Sequence, residues 1–350
     1  MLLALLMFVS CTTSEPVPEA PPEVTLESKA EAVVLQPIRI GWQTTWATQG
    51  QLAVILMKTD ILRSNGFEPE FIGFSYGGPL NEGALAGEVD VLFTADQPAI
   101  SLMSRAPDWQ VLGRLMYNRV GTFVPPESPV QTAADLRGKT VAIPFGAAAH
   151  RETLSAIRDA GLDPDADVKA VNLGLQELVA LIGAGSEDGR WGSIDAGSAW
   201  DPVYADLEHN ETVRTIASGV VTSVVVMDQD FVTANPDADR RFMIAMREAY
   251  GWYRAHAPQA NRWFKDESKL PFDLEVLDLA ASVEPNLQVS KASEIRVSLN
   301  DEDLAGMQAA ADFMLQAELL KAPVIVAPLI RTESTTDLPV PTPGKVKLLE

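Results

Sequence analysis

The segment Gly219-Val220-Val221-Thr222-Ser223-Val224-Val225-Val226-Met227 places five valines in nine residues. Side chains branched at Cβ are stiff about χ1 and fit a pleated sheet, and a run without polar alternation reads as a strand covered on both faces. Its position matters as much as its composition. Upstream lie two separate sets of short apolar runs alternating with helical periods, the pattern of strands in a mostly parallel sheet. In the first set, 38–42, 70–74, 89–93 and 110–116 read as strands and 51–65, 80–86 and 97–105 as helices, with Asn65-Gly66 as a helix stop. The second set follows Pro125-Pro126: helix 132–136, strand 140–144, helix 147–160, strand 168–172, helix 175–182 and strands 193–196 and 213–217. The valine run then reads as a second crossing strand that returns the chain to the first set. The remainder is helical, over 237–255, 258–264, 274–283 and 301–318. The fold class is α/β, with two lobes joined by two crossing strands.

These assignments divide the chain into lobe 1 (37–121 and 222–330), lobe 2 (122–221) and a Thr-, Ser- and Pro-rich C-terminal tail (331–350). At the other end, residues 1–10 are almost all apolar and uncharged, too short to span a bilayer but of the length of a signal-peptide core. Ser10-Cys11 is similar to a bacterial lipoprotein processing site, which makes Cys11 the expected lipidation position; a cleaved secretory signal with an incidental cysteine is the alternative. Four prolines and three glutamates between Thr12 and Val24 give 11–36 the composition of an extended, solvated tether. Either way the chain leaves the cytoplasm, and acyl chains would hold it at the cell envelope.

Composition narrows the chemistry. Of 350 residues, 27 are Lys or Arg and 48 Asp or Glu, a formal charge of -21 that repels polyanions and argues against nucleic acid. With Cys11 the only cysteine and three dispersed histidines, His150, His209 and His256, no thiolate site, disulfide or metal-ligand spacing is apparent. No cofactor motif is found: the glycine-rich 183–189 lacks the Lys and Ser/Thr of a phosphate loop, and Asp163, Asp165 and Asp167 lack the rest of a calcium loop. A Gly-x-Ser-x-Gly elbow for acyl transfer is also missing.

Open α/β sheets bind ligands outside the carboxyl ends of their strands. The turns there hold Gln43, Thr44 and Trp46; Tyr76 and Gly77; Asp96 and Gln97; Gly146, Ala147 and His150; and Trp200 and Asp201. Amides, aromatics, small residues and two acids suit a small polar solute enclosed between lobes. Gln43 is the first side chain past the first strand and the strongest candidate for a polar contact. Trp42, Trp46 and Tyr76 could stack on a flat ring, or pack in the core. Asp201 could hold an ammonium resting on Trp200, or cap a helix ahead of Pro202; Asp96 has the same two possibilities. Arg119 and Thr122 lie beside the first crossing, where they could meet an anion, and Arg119 could equally face solvent. The helix start after Gly146 could receive an acid group, or be a plain turn.

The stretches Gly41-Trp42-Gln43, Gly83-Ala84-Leu85-Ala86-Gly87-Glu88-Val89-Asp90, Leu136-Arg137-Gly138-Lys139-Thr140-Val141-Ala142, Pro144-Phe145-Gly146 through His150, and Trp200-Asp201-Pro202 occur in an order that resembles the substrate-binding proteins of ABC importers. The resemblance covers about 37–313 and is to the branch that takes nitrate, sulfonates, taurine and thiamine-pyrimidine precursors. It implies a periplasmic-binding-protein type II fold with a cleft that closes by hinge motion, a monomer, and delivery to a membrane permease driven by a cytoplasmic ATPase. It also implies a ligand-facing role for His150, a histidine common at this turn in such relatives, with a structural hydrogen bond as the alternative. The turn departs from the pattern in carrying Ala147-Ala148-Ala149 where sulfonate binders are rich in Ser and Thr. The expected function is capture of a sulfonate-like, taurine-like or nitrate solute without catalysis, the alternatives being a thiamine pyrimidine precursor or other heteroaromatic vitamin, and an enzyme or ligand sensor on the same fold.

Overall fold

The computed structural model describes residues 34–349. The signal segment 1–10, Cys11 and all but the end of the 11–36 tether lie outside the described residues. The chain enters on β1 (Gln36–Gln43) and continues through α1 (Gln49–Lys58), α2 (Ile61–Ser64), β2 (Phe67–Phe74), α3 (Gly77–Leu85), β3 (Val91–Ala95) and α4 (Asp96–Arg105). β1 runs parallel to β2 on one side and to β3 on the other. The helix expected over 51–65 divides because Thr59 is extended and bridges Leu348, and the Asp60 N–H donates to Lys347 O at 2.9 Å. The C-terminal tail thus packs against the first helices, and Arg331 and Ser334 both donate to the Asp239 carboxylate, at 2.5 and 2.8 Å.

β4 (Trp109–Val124) leads into the second half: β5 (Thr140–Ile143), α5 (Ala148–Asp159), β6 (Lys169–Asn172), α6 (Leu175–Gly183), β7 (Ala196–Trp200) and α7 (Val203–His209). β8 (Arg214–Asp228) returns, followed by α8 (Gln229–Ala234), α9 (Ala238–Ser268), α10 (Leu274–Ala281) and α11 (Asp301–Gln316). The eight strands form one sheet in the order β2-β1-β3-β8-β4-β7-β5-β6. β4 and β8 are antiparallel along their whole lengths, from Trp109 opposite Asp228 to Val124 opposite Arg214. At one end β8 also pairs with β3, and at the other end β4 also pairs with β7. These are the two crossing strands of a periplasmic-binding-protein type of fold.

Both crossings are longer than apolar runs alone indicate. β4 continues past 116 through Tyr117, Asn118 and Arg119, polar side chains that find partners within the fold: Asn118 Nδ2 donates to Ala47 O at 2.9 Å and Arg119 pairs with Asp201. The segments 213–217 and 219–227 are one strand, because Gly219 keeps its place in the ladder opposite Val120. β7 lies a few residues beyond the expected 193–196, where Gly197 allows close packing on Phe123 and Leu178. The expected helix 132–136 is one 3-10 turn, and α9 joins two expected helices across a kink at His256, two residues before Pro258.

Register irregularities on β4 between Val111 and Gly113 and between Arg114 and Met116 bend the strand, and such irregularities re-aim side chains. Arg114 points inward and meets Glu284 bidentately at 2.7 and 2.9 Å, with side chains 1% and 0% exposed. Glu284 also accepts the Tyr117 and Asn286 N–H groups, each at 3.0 Å, so one carboxylate fastens the crossing strand to the segment after α10. A buried charge left without its partner costs about 3–5 kcal/mol. Glu284→Gln should therefore lower unfolding free energy in urea by about that amount with an unchanged m value; a loss under about 1 kcal/mol would show that Arg114 reaches other compensation.

Candidate functional site

The carboxyl ends of β1 and β3 meet the middle of the crossing strands. Ala95 is opposite Ser223 on β8, which in turn is opposite Met116 on β4. The loop after β1 folds over this point: Thr48 N–H donates to Met116 Sδ at 3.1 Å, and Asn118 holds Ala47 O. Several polar atoms here are fully buried and have no protein partner: Trp46 Nε1, Thr48 Oγ1, both ends of the Gln97 amide, Asn118 Oδ1 and Ser223 Oγ. Buried polar groups are nearly always paired, and an orphan costs about 1–3 kcal/mol. Orphans gathered at a strand-end junction are what a site for a polar solute looks like, and their mixture of N–H donors and acceptors sets no single charge.

The second half of the sheet closes over the same point through the start of α5. Gly146, at φ +81°, turns the chain out of β5, a conformation that side chains disfavour. Its N–H donates to His150 Nδ1 at 3.4 Å, and the His150 ring stacks on Phe145 at 4.6 Å and meets the Phe313 edge at 5.5 Å. Phe313 belongs to α11, so this contact joins elements from the two halves of the sheet. The next residue, Arg151, donates from Nη1 to Asp96 Oδ2 at 2.6 Å and from Nε to Glu152 Oε1 at 2.9 Å. Asp96 Oδ1 accepts the Gln97 N–H at 2.7 Å. Arg151 did not stand out in the sequence, where a charge in the first turn of an amphipathic helix reads as solvent-facing. Its one signal was position, directly after His150 in a strand-end turn.

Of the residues singled out from sequence, Trp46, Asp96 and Gln97 come together at the junction, with Gln43 beside them. The Gln43 amide, however, donates to Phe93 O at 3.3 Å, and its backbone N–H to Gln49 Oε1 at 3.0 Å. Thr44 Oγ1 donates to Phe74 O at 3.4 Å. Tyr76 is 58% exposed, clear of the core that was its alternative. Gly77 is required for packing, since a Cβ there would lie 2.5 Å from Pro98. Ala147 precedes α5 and is half-buried, as is Trp200 at the end of β7.

Two expectations need correction. Arg119 is not available to an anion: it grips Asp201 at 2.8 and 3.1 Å and Glu208 at 2.9 Å, and lies 4.9 Å over the Tyr204 ring. Asp201 is equally committed, being fully buried and accepting Arg119 on both oxygens and the Ala205 N–H at 3.0 Å in the first turn of α7. Burial pushes its carboxyl up to about 6 against the pull of Arg119. The helix-start role is the one the structure gives it, and an ammonium resting on Trp200 would have no free oxygen to meet. Among the described residues no group of three or more His, Cys, Asp or Glu could hold a metal ion.

Burial, reinforced by repulsion from Arg158, lowers the His150 pKa below its ordinary 6.5. With the folded value below the unfolded one, the associated stability is present above pH 6.5 and is lost as pH falls through the folded value. An NMR titration should place the His150 midpoint below 6.5. The stability difference between wild type and His150→Gln should shrink from about pH 7 to about pH 5; a widening difference would contradict the assignment.

Comparison with known proteins bears on the fold and the family. Over 223 residues the chain is 27% identical to a protein of Escherichia coli (strain K12) named as an aliphatic sulfonates-binding protein, an alignment covering 62% of this chain and 63% of that relative. The alkanesulfonate-binding protein SsuA from Xanthomonas axonopodis pv. citri, solved bound to MOPS, superposes with a TM-score of 0.64 at 23% identity, over 84% of this chain and 97% of that one. The periplasmic aliphatic sulphonate binding protein SsuA from Escherichia coli gives 0.69 at 22% identity, over 86% and 98%. A mutant of the desulfurization enzyme DSZB in complex with biphenyl-2-sulfinic acid shares the fold as well, with a TM-score of 0.66 at 16% identity, over 87% and 99%. The NMT1/THI5-like family model matches residues 82–260, just over half of the 350 residues, and the chain belongs to that family.

Proposed function

We infer that the protein is an extracytoplasmic solute-binding component of an ABC importer, which captures a small anionic or zwitterionic nutrient between the halves of its sheet and releases it unchanged to a membrane permease. The observation that carries this reading is the set of unpartnered buried polar atoms on Trp46, Thr48, Gln97, Asn118 and Ser223, drawn from both sides of β3 and from both crossing strands. A solute that supplied these hydrogen bonds, all of them within lobe 1, and also met the start of α5 would stabilise the closed form more than the open one, which is the condition for ligand-driven closure. The named sulfonate-binding relative and neighbours favour a sulfonate-like or taurine-like solute, with nitrate as a smaller member of the same anion class; a thiamine pyrimidine precursor is the second reading, supported by the exposed ring of Tyr76 in the turn after β2. Anchoring through Cys11 remains part of this proposal. No helix among the described residues is long and apolar enough to cross a membrane.

An enzyme on this fold is the competing class, since DSZB shares it. Against it stands the chemistry of the junction: no cysteine occurs within 34–349, the nearest imidazole is enclosed between two phenyl rings, and Asp96 is held in an ion pair. None of these is set up as a nucleophile with a neighbouring base.

Calorimetry and thermal unfolding with short alkanesulfonates, taurine, nitrate and aminopyrimidines test the reading. A true solute at a hundred times its Kd adds about 2.7 kcal/mol to the folded state. Gln97→Ala, which removes two of the unpartnered groups, should weaken that solute roughly tenfold, and NMR of the mixture should recover it chemically unchanged. Turnover of the compound, or indifference of its affinity to Gln97, would defeat the proposal.

A further inference from the structure

Arg151 and Asp96 come from opposite halves of the sheet, Arg151 from α5 and Asp96 from the start of α4, and they meet where the two halves come together, with side chains 8% and 2% exposed. The Asp96 carboxylate has the guanidinium at 2.6 Å on one oxygen and the Gln97 backbone N–H at 2.7 Å on the other. Beside it is the Gln97 amide, itself 1% exposed, with neither end bonded. Guanidinium, helix-start N–H and amide are the donors that recognise an oxyanion, and here they surround a carboxylate belonging to the protein. Arg151 has a second acid at Glu152, but that contact uses Nε, leaving the Nη edge directed at Asp96. Among the described residues Nη2 has no partner. Arg119 on β4, by contrast, is occupied by two carboxylates.

We propose that Arg151 is the specificity-determining residue of the cleft, receiving the oxyanion of the solute, and that Asp96 is its intramolecular stand-in, displaced when the solute arrives. This rests on the solute-binding reading above. Two consequences follow. The Nη edge of Arg151 has an anionic partner with and without solute, while Glu152 keeps Nε. The solute must also compete with a tethered carboxylate, which weakens its apparent affinity and excludes neutral isosteres, because they cannot replace a charge.

The test is calorimetry on the purified full chain with ethanesulfonate and with its neutral counterpart ethanesulfonamide, at fixed ionic strength. Relative to wild type, Asp96→Asn should bind ethanesulfonate at least tenfold more tightly, and Arg151→Gln at least tenfold more weakly. Ethanesulfonamide should change less than threefold in either. The double variant, which leaves no unpaired charge at position 96, reports on folding by its thermal melt and should bind ethanesulfonate like Arg151→Gln alone. Asp96→Asn binding the anion as weakly as Arg151→Gln, or a gain persisting in the double variant, overturns the proposal. If wild type and Asp96→Asn ignore ethanesulfonate while an aminopyrimidine binds, this inference fails and the solute-binding reading stands. If no solute of any class binds wild type, the solute-binding reading itself fails.

Discussion

The structure depends on the antiparallel pairing of β4 with β8 from end to end. Two strands of 16 and 15 residues are several residues longer than a typical strand, and each belongs to both halves of the sheet. Because the pair is continuous, the parallel strands on either side are brought to it with their carboxyl ends at a shared junction. The turns after β1 and β3 face the start of α5 for that reason. A break in the middle of either crossing strand would leave two half-sheets and no common site.

Burial of charge is the second constraint. The chain has a large excess of acids, yet among the described residues two arginines are buried and a third is half-buried in ion pairs: Arg114 on β4 with Glu284, Arg151 on α5 with Asp96 and Glu152, and the half-buried Arg119 on β4 with Asp201 and Glu208. Buried pairs of this kind add little net stability, because desolvation offsets most of the attraction, but removing one partner is expensive. They therefore specify arrangement more than they strengthen the fold. The three differ in what they join. Arg114 joins a crossing strand to the later helical segment, Arg119 joins it to the start of α7, and Arg151 joins the two halves of the sheet to each other. The last lies beside Gln97, whose amide has neither end bonded.

Much of the fold could be read in advance because apolar periodicity is local. The valine run of β8, the alternation of strand and helix, the Asn65-Gly66 stop and the turn at Gly146 all express constraints that act within a few residues. Where the reading fell short, the missing information was non-local. β4 past Met116 is a strand because Asn118 and Arg119 find partners on the β1 loop and after β7, and the first helix ends at Thr59 because residues near 348 pair there. The site shows the same limit. Trp46, Asp96, Gln97 and His150 were identifiable as strand-end residues, whereas Arg119 and Asp201 were not recognisable as each other's partners across 82 residues.

The sequence by itself determined the fold class, the strand-end turns from which a site had to be built, and the absence from residues 34–349 of a cysteine for covalent or thiolate chemistry. Only the tertiary structure decided which charges are free. Arg119, Arg151, Asp96 and Asp201 are equivalent on paper, being polar residues near strand ends. Whether a carboxylate meets a solute, a helix or a guanidinium depends on what lies within about 3 Å of it, and that neighbour is supplied by distant chain segments brought together by the crossing strands.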